Sequence, residues 1–153
     1  MANTRIARSA PKPCKFCAIV AGTEKAFIVF RDAHCVAFLD YRPLALGHLL
    51  LVPVAHYANL SDAPDSVMAD LGIRVKFLSA GVMQAMAAEG SFVALNNRIS
   101  QSVPHIHFHV VPRRKGDGLF SHGLVWKRVS YRDDAQRTET AASIRAAITA
   151  PVV

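Results

Sequence analysis

Hydrophobic positions along this 153-residue chain recur with two different periods, and each change of period marks an element. From Asp62 to Glu89, the residues Val67, Leu71, Val75, Leu78, Val82 and Met86 fall three or four positions apart. That spacing gathers side chains on one face of a helix. Ser61 or Asp62 can cap its start, and Gly90 can end it. Shorter apolar runs read as strands. Ala26–Arg31 and Cys35–Asp40 are separated by the turn-forming Asp32-Ala33-His34, and Gly47–Pro53 ends at a proline that cannot donate to a ladder. Ser91–Asn96 and His105–Val111 read as two more strands, and Leu124–Val129 as a possible further one. Cys17–Ala21 predicts a short helix closed by Gly22, and the Ala-rich stretch from Asp133 or Asp134 to about Ile148 a terminal one. Hairpin-length gaps between the early strands, interrupted by one long helix, predict an α+β fold with an antiparallel meander sheet.

Composition narrows this picture to one domain, because 52% apolar residues over this length supply a single sizeable core and not two. No run approaches a membrane span, and Arg5, Arg8 and Lys12 are followed by no apolar signal segment, so the expected compartment is the cytoplasm. The formal charge of +7 is concentrated towards the ends of the chain, with seven basic residues between Arg113 and Arg137. Without aromatic residues interleaved along a basic groove, specific nucleic-acid binding is not expected. Solvated tails or a field that steers phosphate account for the surplus.

The chemistry concentrates at His105-Ile106-His107-Phe108-His109. On a strand, alternate residues share a face, which predicts a row of three imidazoles about 7 Å apart opposite a core face of Ile106, Phe108 and Val110. Core packing does not need three histidines, since each buried ring must find a hydrogen-bond partner. Cys14 and Cys17 form a two-thiolate knuckle, for which free thiols and a redox pair are the alternatives. With His56 and His105 as partners they would close a tetrahedral zinc shell and leave no position for water, so the zinc would be structural. Cys35 lies inside an apolar run and reads as a small buried hydrophobe.

The segment Gln101-Ser102-Val103-Pro104-His105-Ile106-His107-Phe108-His109-Val110-Val111-Pro112-Arg113, with Phe38-Leu39-Asp40 and Gly47-His48-Leu49-Leu50-Leu51-Val52-Pro53 upstream, closely resembles the histidine triad family of nucleotide hydrolases and transferases. The resemblance covers about residues 14–118. It implies a catalytic domain over 14–118; the polar stretch 1–13, with Pro11 and Pro13, reads as a flexible arm, and 119–153 as a C-terminal extension packed on the same domain. The resemblance also implies a two-fold homodimer and His107 as a nucleophile that is transiently nucleotidylated. His109 and His48 would support that nucleophile and the phosphate, Ser102 and Gln101 would contact the phosphate side, and Asn96 would help to hold the substrate. Phe38 and Asp40 would receive base and ribose, with Phe16, Ile19 and Tyr41 completing a purine nucleotide pocket. The resemblance places the nearest kin in the zinc-bearing, phosphoramidase-like bacterial type. The chain departs from the family pattern between Asn96 and Gln101, where Ser100 occupies the place of a usual glycine. The alternative function is a zinc-stabilised nucleotide-binding module with incidental catalysis.

Overall fold

The two central strands, β2 (Cys35–Leu39) and β3 (Leu49–Pro53), are buried at every position, because the sheet is covered on both faces. Alternation still sorts their side chains. Ala37, Leu39, Leu49 and Leu51 face one cluster with Leu71, Leu78, Val82 and Ile144, while Val36, Phe38, Leu50 and Val52 face another with Phe16 and Ile19. Phe38 and Leu39 therefore serve opposite faces.

A computed structural model describes residues 13–120 and 127–149 of the chain. The arm expected over 1–13 falls outside them except for Pro13, as does most of the strand expected at Leu124–Val129; Lys127 to Val129 form no strand. The sheet has the order β1-β2-β3-β5-β4 and is antiparallel throughout, with β1 (Ile28–Arg31), β4 (Gly90–Leu95) and β5 (Phe108–Arg113) completing it. The α+β meander read from the sequence is the observed fold. Among the described residues, no helix is long and apolar enough to cross a membrane.

Three α-helices are described: α1 (Lys15–Ala21), α2 (Asp65–Ala85) and α3 (Asp134–Ala147). Helix α1 starts where the Cys14 thiol accepts from the Cys17 N–H at 3.4 Å, and ends at Gly22 with φ 77°, a conformation that suits a residue without Cβ. Helix α2 begins later than its expected cap. Pro64 stands at the N-cap, and Asp62 is instead used in a 3-10 turn, where its carboxylate accepts from the Asn59 N–H at 2.9 Å. The helix also ends at Ala85 and not at Gly90, because Gly90 pairs with Arg113 and opens β4. Helix α3 is capped by Asp133, whose side chain accepts from the Gln136 N–H at 2.8 Å, and packs on α2 and β1.

The strand expected from His105 begins instead at Phe108. His105 N–H donates to Val103 O and Ile106 N–H to Tyr57 O, both at 2.8 Å, so this stretch is folded onto its own loops before β5 joins the ladder. The even face of imidazoles predicted for a strand is accordingly compressed. The His107 and His109 ring centroids lie 5.0 Å apart, closer than strand alternation would set them.

Candidate active site and metal centre

The N-terminus of α1 brings Cys14 and Cys17 against two histidines from distant loops. The ligand atoms of Cys14, Cys17, His56 and His105 all lie within 4.8 Å of one another. Cys14 Sγ is 3.4 Å from His105 Nδ1, and Cys17 Sγ is 3.3 Å from His56 Nδ1. The other nitrogen of His105 is tied to Pro53 O at 3.0 Å, so Nε2 carries the proton and Nδ1 presents its lone pair to the thiols. Burial holds this imidazole neutral by lowering its pKa to about 4. Two thiols and two correctly aimed imidazoles fit a closed tetrahedral site of the kind zinc takes.

His107 and His109 face a cleft of about 800 Å³. The ring of His107 is buried, and its Nδ1–H donates to the carbonyl of His105 at 2.8 Å. That fixes the tautomer, and Nε2 keeps a free lone pair. The acceptor is thus inside the triad itself. Burial lowers the pKa of His107 as well.

A second chain of hydrogen bonds sets the neighbouring ring. Leu44 N–H donates to His48 Nδ1 at 3.1 Å, so the single proton of neutral His48 sits on Nε2, which lies 3.0 Å from His109 Nδ1. His109 then carries its own proton on Nε2, a buried atom with no hydrogen-bond partner among the described residues. Burial drives His48 down to about 3 and His109 to about 4, so both rings are neutral near pH 7. Asp40, His48 and His109 lie close enough to share a cation, but the facing nitrogens of the two rings are already joined by their hydrogen bond. A lone pair on His107 and an unpaired N–H on His109 therefore stand side by side.

The cleft is lined by Phe16, Ile19, Phe38, Asp40, Tyr41 and Ser102 as well as by the two histidines. Phe16 meets Phe38 edge-on at 5.5 Å and His107 at 5.0 Å, joining the apolar floor to the reactive ring. Phe16 and Ile19 are also core residues, each 5% exposed, whereas Tyr41 is 73% exposed and stands at the mouth. His48 lies behind His109 and is fully buried. Asn96 and Gln101 are not among the lining residues. The Gln101 amide instead joins two loops, accepting from Arg98 N–H at 2.9 Å and donating to Ala58 O at 2.8 Å. Ser100, in the glycine-like place, has φ 60°, and Arg98 has φ 68°.

Sequence reasoning missed Lys15, Leu50 and Val103 as lining residues, together with Arg42, Arg128 and Arg137. Leu50 was legible as the sheet-face neighbour of Phe38, with which it is paired across β2 and β3. Arg128 and Arg137 lay in a basic surplus that by itself reads as solvated ends.

Residues 21–116 match the HIT domain. The chain belongs to the HIT family. A zinc-bound histidine triad family protein from Mycobacterium smegmatis has the same fold, with a TM-score of 0.76 and 33% identity, covering 88% of this chain and 92% of that one. Among HIT relatives, an adenosine 5′-monophosphoramidase of Candida albicans is 36% identical over 119 residues, which are 74% of this chain and 77% of the relative. An adenylylsulfatase of Arabidopsis thaliana is 29% identical over 134 residues, 86% of this chain and 68% of the relative.

Proposed function

We propose that this HIT protein is a nucleotide hydrolase or transferase that cleaves a nucleoside monophosphate from an amine, acyl or nucleotide leaving group through a nucleotidyl-His107 intermediate. The observation that carries the reading is the fixed pair of tautomers, a lone pair on His107 Nε2 and a proton on His109 Nε2, on two neighbouring rings whose residues line the cleft. His107 Nε2 attacks phosphorus and the bond to the leaving group breaks, while the single N–H of neutral His109 hydrogen-bonds to the reacting phosphate and the leaving group takes its proton from water. Water then attacks phosphorus and gives up a proton to solvent, the N–P bond breaks, and His107 returns to its neutral form. Ser102 lines the same cleft and supplies a hydroxyl to the phosphate. The purine lies against Phe16, Ile19 and Phe38, with Tyr41 at the mouth, and the ribose hydroxyls meet Asp40. Gln101 acts through the loop it ties, and Asn96 through the end of β4. The relatives named as an adenosine 5′-monophosphoramidase and an adenylylsulfatase support a nucleoside monophosphate as the group transferred, and the first of them an amine as the leaving group.

Zinc belongs to the same proposal, held by Cys14, Cys17, His56 and His105. It supplies a cross-link between α1 and the loops before α2 and β5, and no step of the reaction passes through it. A cytoplasmic homodimer completes the reading. β4 is an open edge of the sheet on which Val93 is exposed, and α2 exposes Ile73.

The test is a labelled adenosine 5′-phosphoramidate, quenched in acid-free denaturant and mapped by peptide. The label is expected on His107. His107→Asn is expected to abolish turnover while retaining AMP binding, and His109→Asn to slow it less. A label on His105 or His109, or full activity of His107→Asn, overturns the mechanism. AMP binding without any adduct favours the binding-module alternative.

A further inference from the structure

The C-terminal segment that follows the matched domain grips the loop between β2 and β3. Val129 N–H donates to Pro43 O at 2.9 Å, and Gly47 N–H donates to the buried Tyr131 hydroxyl at 2.9 Å. Between these anchors and the cleft, Arg128 donates to the carbonyl of Arg42, and its Nη1 lies 3.5 Å from Asp40 Oδ2. Arg128 is thus held at the carboxylate assigned above to the ribose hydroxyls, and its guanidinium lines the cleft.

The state of the two charges gives this placement its meaning. Asp40 Oδ1 accepts from Arg42 N–H at 2.9 Å, whereas Oδ2 has Arg128 and His48 Nδ1 as its charged or titratable neighbours among the described residues, each at 3.5 Å. The contact is an ion pair with a loose fit, not a closed fork, so a bidentate anion can compete for the guanidinium. Nearby cations add to the field. Lys15, Lys25, Arg42 and Arg137 line the same cleft, where Glu24, Asp40 and Asp134 are the carboxylates. Lys25 and Arg137 are committed to Asp134, and Lys15 faces Glu24, but the Arg42 guanidinium meets no carboxylate among the described residues. The cations of this edge that are not closely committed to a carboxylate are Arg42 and the loosely held Arg128.

We infer that Arg128, with Arg42, forms a second phosphate subsite at the ribose, so that the cleft selects nucleotides phosphorylated on the 2′- or 3′-hydroxyl as well as at the 5′ carbon. This rests on the nucleotide reading above. A phosphate on either hydroxyl would sit at the carboxylate edge, where Arg128 stands between it and Asp40 and can present N–H groups to the phosphate while still screening the carboxylate.

Calorimetric titration of the full chain with AMP, adenosine 2′,5′-bisphosphate and adenosine 3′,5′-bisphosphate tests the assignment. One of the two bisphosphates is expected to bind at least tenfold more tightly than AMP, and which one identifies the hydroxyl. Arg128→Gln is expected to reduce the bisphosphate-to-AMP affinity ratio to near one, and Arg128→Lys to leave it intermediate because the charge remains without the fork. AMP binding as tightly as both bisphosphates, or a ratio unchanged in Arg128→Gln, overturns the subsite and leaves the nucleotide reading standing. Failure of all three ligands to bind removes both.

Discussion

At the scale of single residues, the candidate site is a set of protonation states fixed by hydrogen bonds and burial. Unfolded histidine titrates near 6.5, while folded His48 and His109 titrate at about 3 and about 4. Between those values the unfolded chain binds protons that the folded chain refuses. Their contribution to stability is therefore complete above about pH 6.5, declines as pH falls, and levels off only below the folded values. Melting temperatures measured from about pH 7 down to pH 4 are expected to fall steadily, and His48→Asn should flatten part of that fall. Activity follows the same states: because burial also lowers His107, the acid limb of kcat/KM is expected below the ordinary imidazole range near 6.5. Ser100 makes a separate case, since its φ of 60° costs a residue with a Cβ. Ser100→Gly is expected to stabilise the protein by up to about 1 kcal/mol in a denaturant titration, the relief of strain exceeding the added chain entropy.

At the scale of elements, the loop between β2 and β3 joins stability to the site. Gly47 has φ 89°, and a Cβ there would meet Met86 Cγ at 2.6 Å, so the loop can approach α2 only through a bare backbone. Gly47→Ala is expected to cost about 2 kcal/mol or more and to displace the adjacent His48, lowering kcat as well as the melting temperature. Tyr131→Phe keeps the ring but removes the acceptor of Gly47 N–H, for an expected loss of about 1 kcal/mol by thermal denaturation. Elements whose signals were local were legible in the sequence: the apolar runs of β2 and β3, the three-and-four spacing of α2, the Asp133 cap of α3. The start of β5 was not, because His105-Ile106-His107 alternates like a strand while its backbone bonds elsewhere. The cap of α2 was misread for a similar reason, since Ser61 and Asp62 are good cap residues but Pro64 lies closer to the helix. In the site, the four metal-ligand candidates were legible by donor type. Arg128 was not, being 88 residues from Asp40 and joined to it only by folding.

For the whole molecule, the open edge at β4 belongs to the proposed homodimer. An exposed apolar edge strand invites pairing, and Val93 is its exposed apolar residue. Light scattering on the eluting protein is expected to give twice the chain mass, and Val93→Lys to give the single mass with the fold intact by circular dichroism. A monomer in the unsubstituted protein would remove the dimer from the proposal.

His105 gives the molecule one further property. Its ring is one of the four candidate metal ligands, its Nε2–H reaches Pro53 O, and its carbonyl holds the His107 ring. A chain stripped of the metal is therefore expected to keep these two hydrogen bonds but hold the His105 backbone less firmly, so that a change at the cysteines reaches the reactive ring through one carbonyl. Nitrogen-15 spectra of the imidazoles recorded with and without zinc would register that loosening at His107.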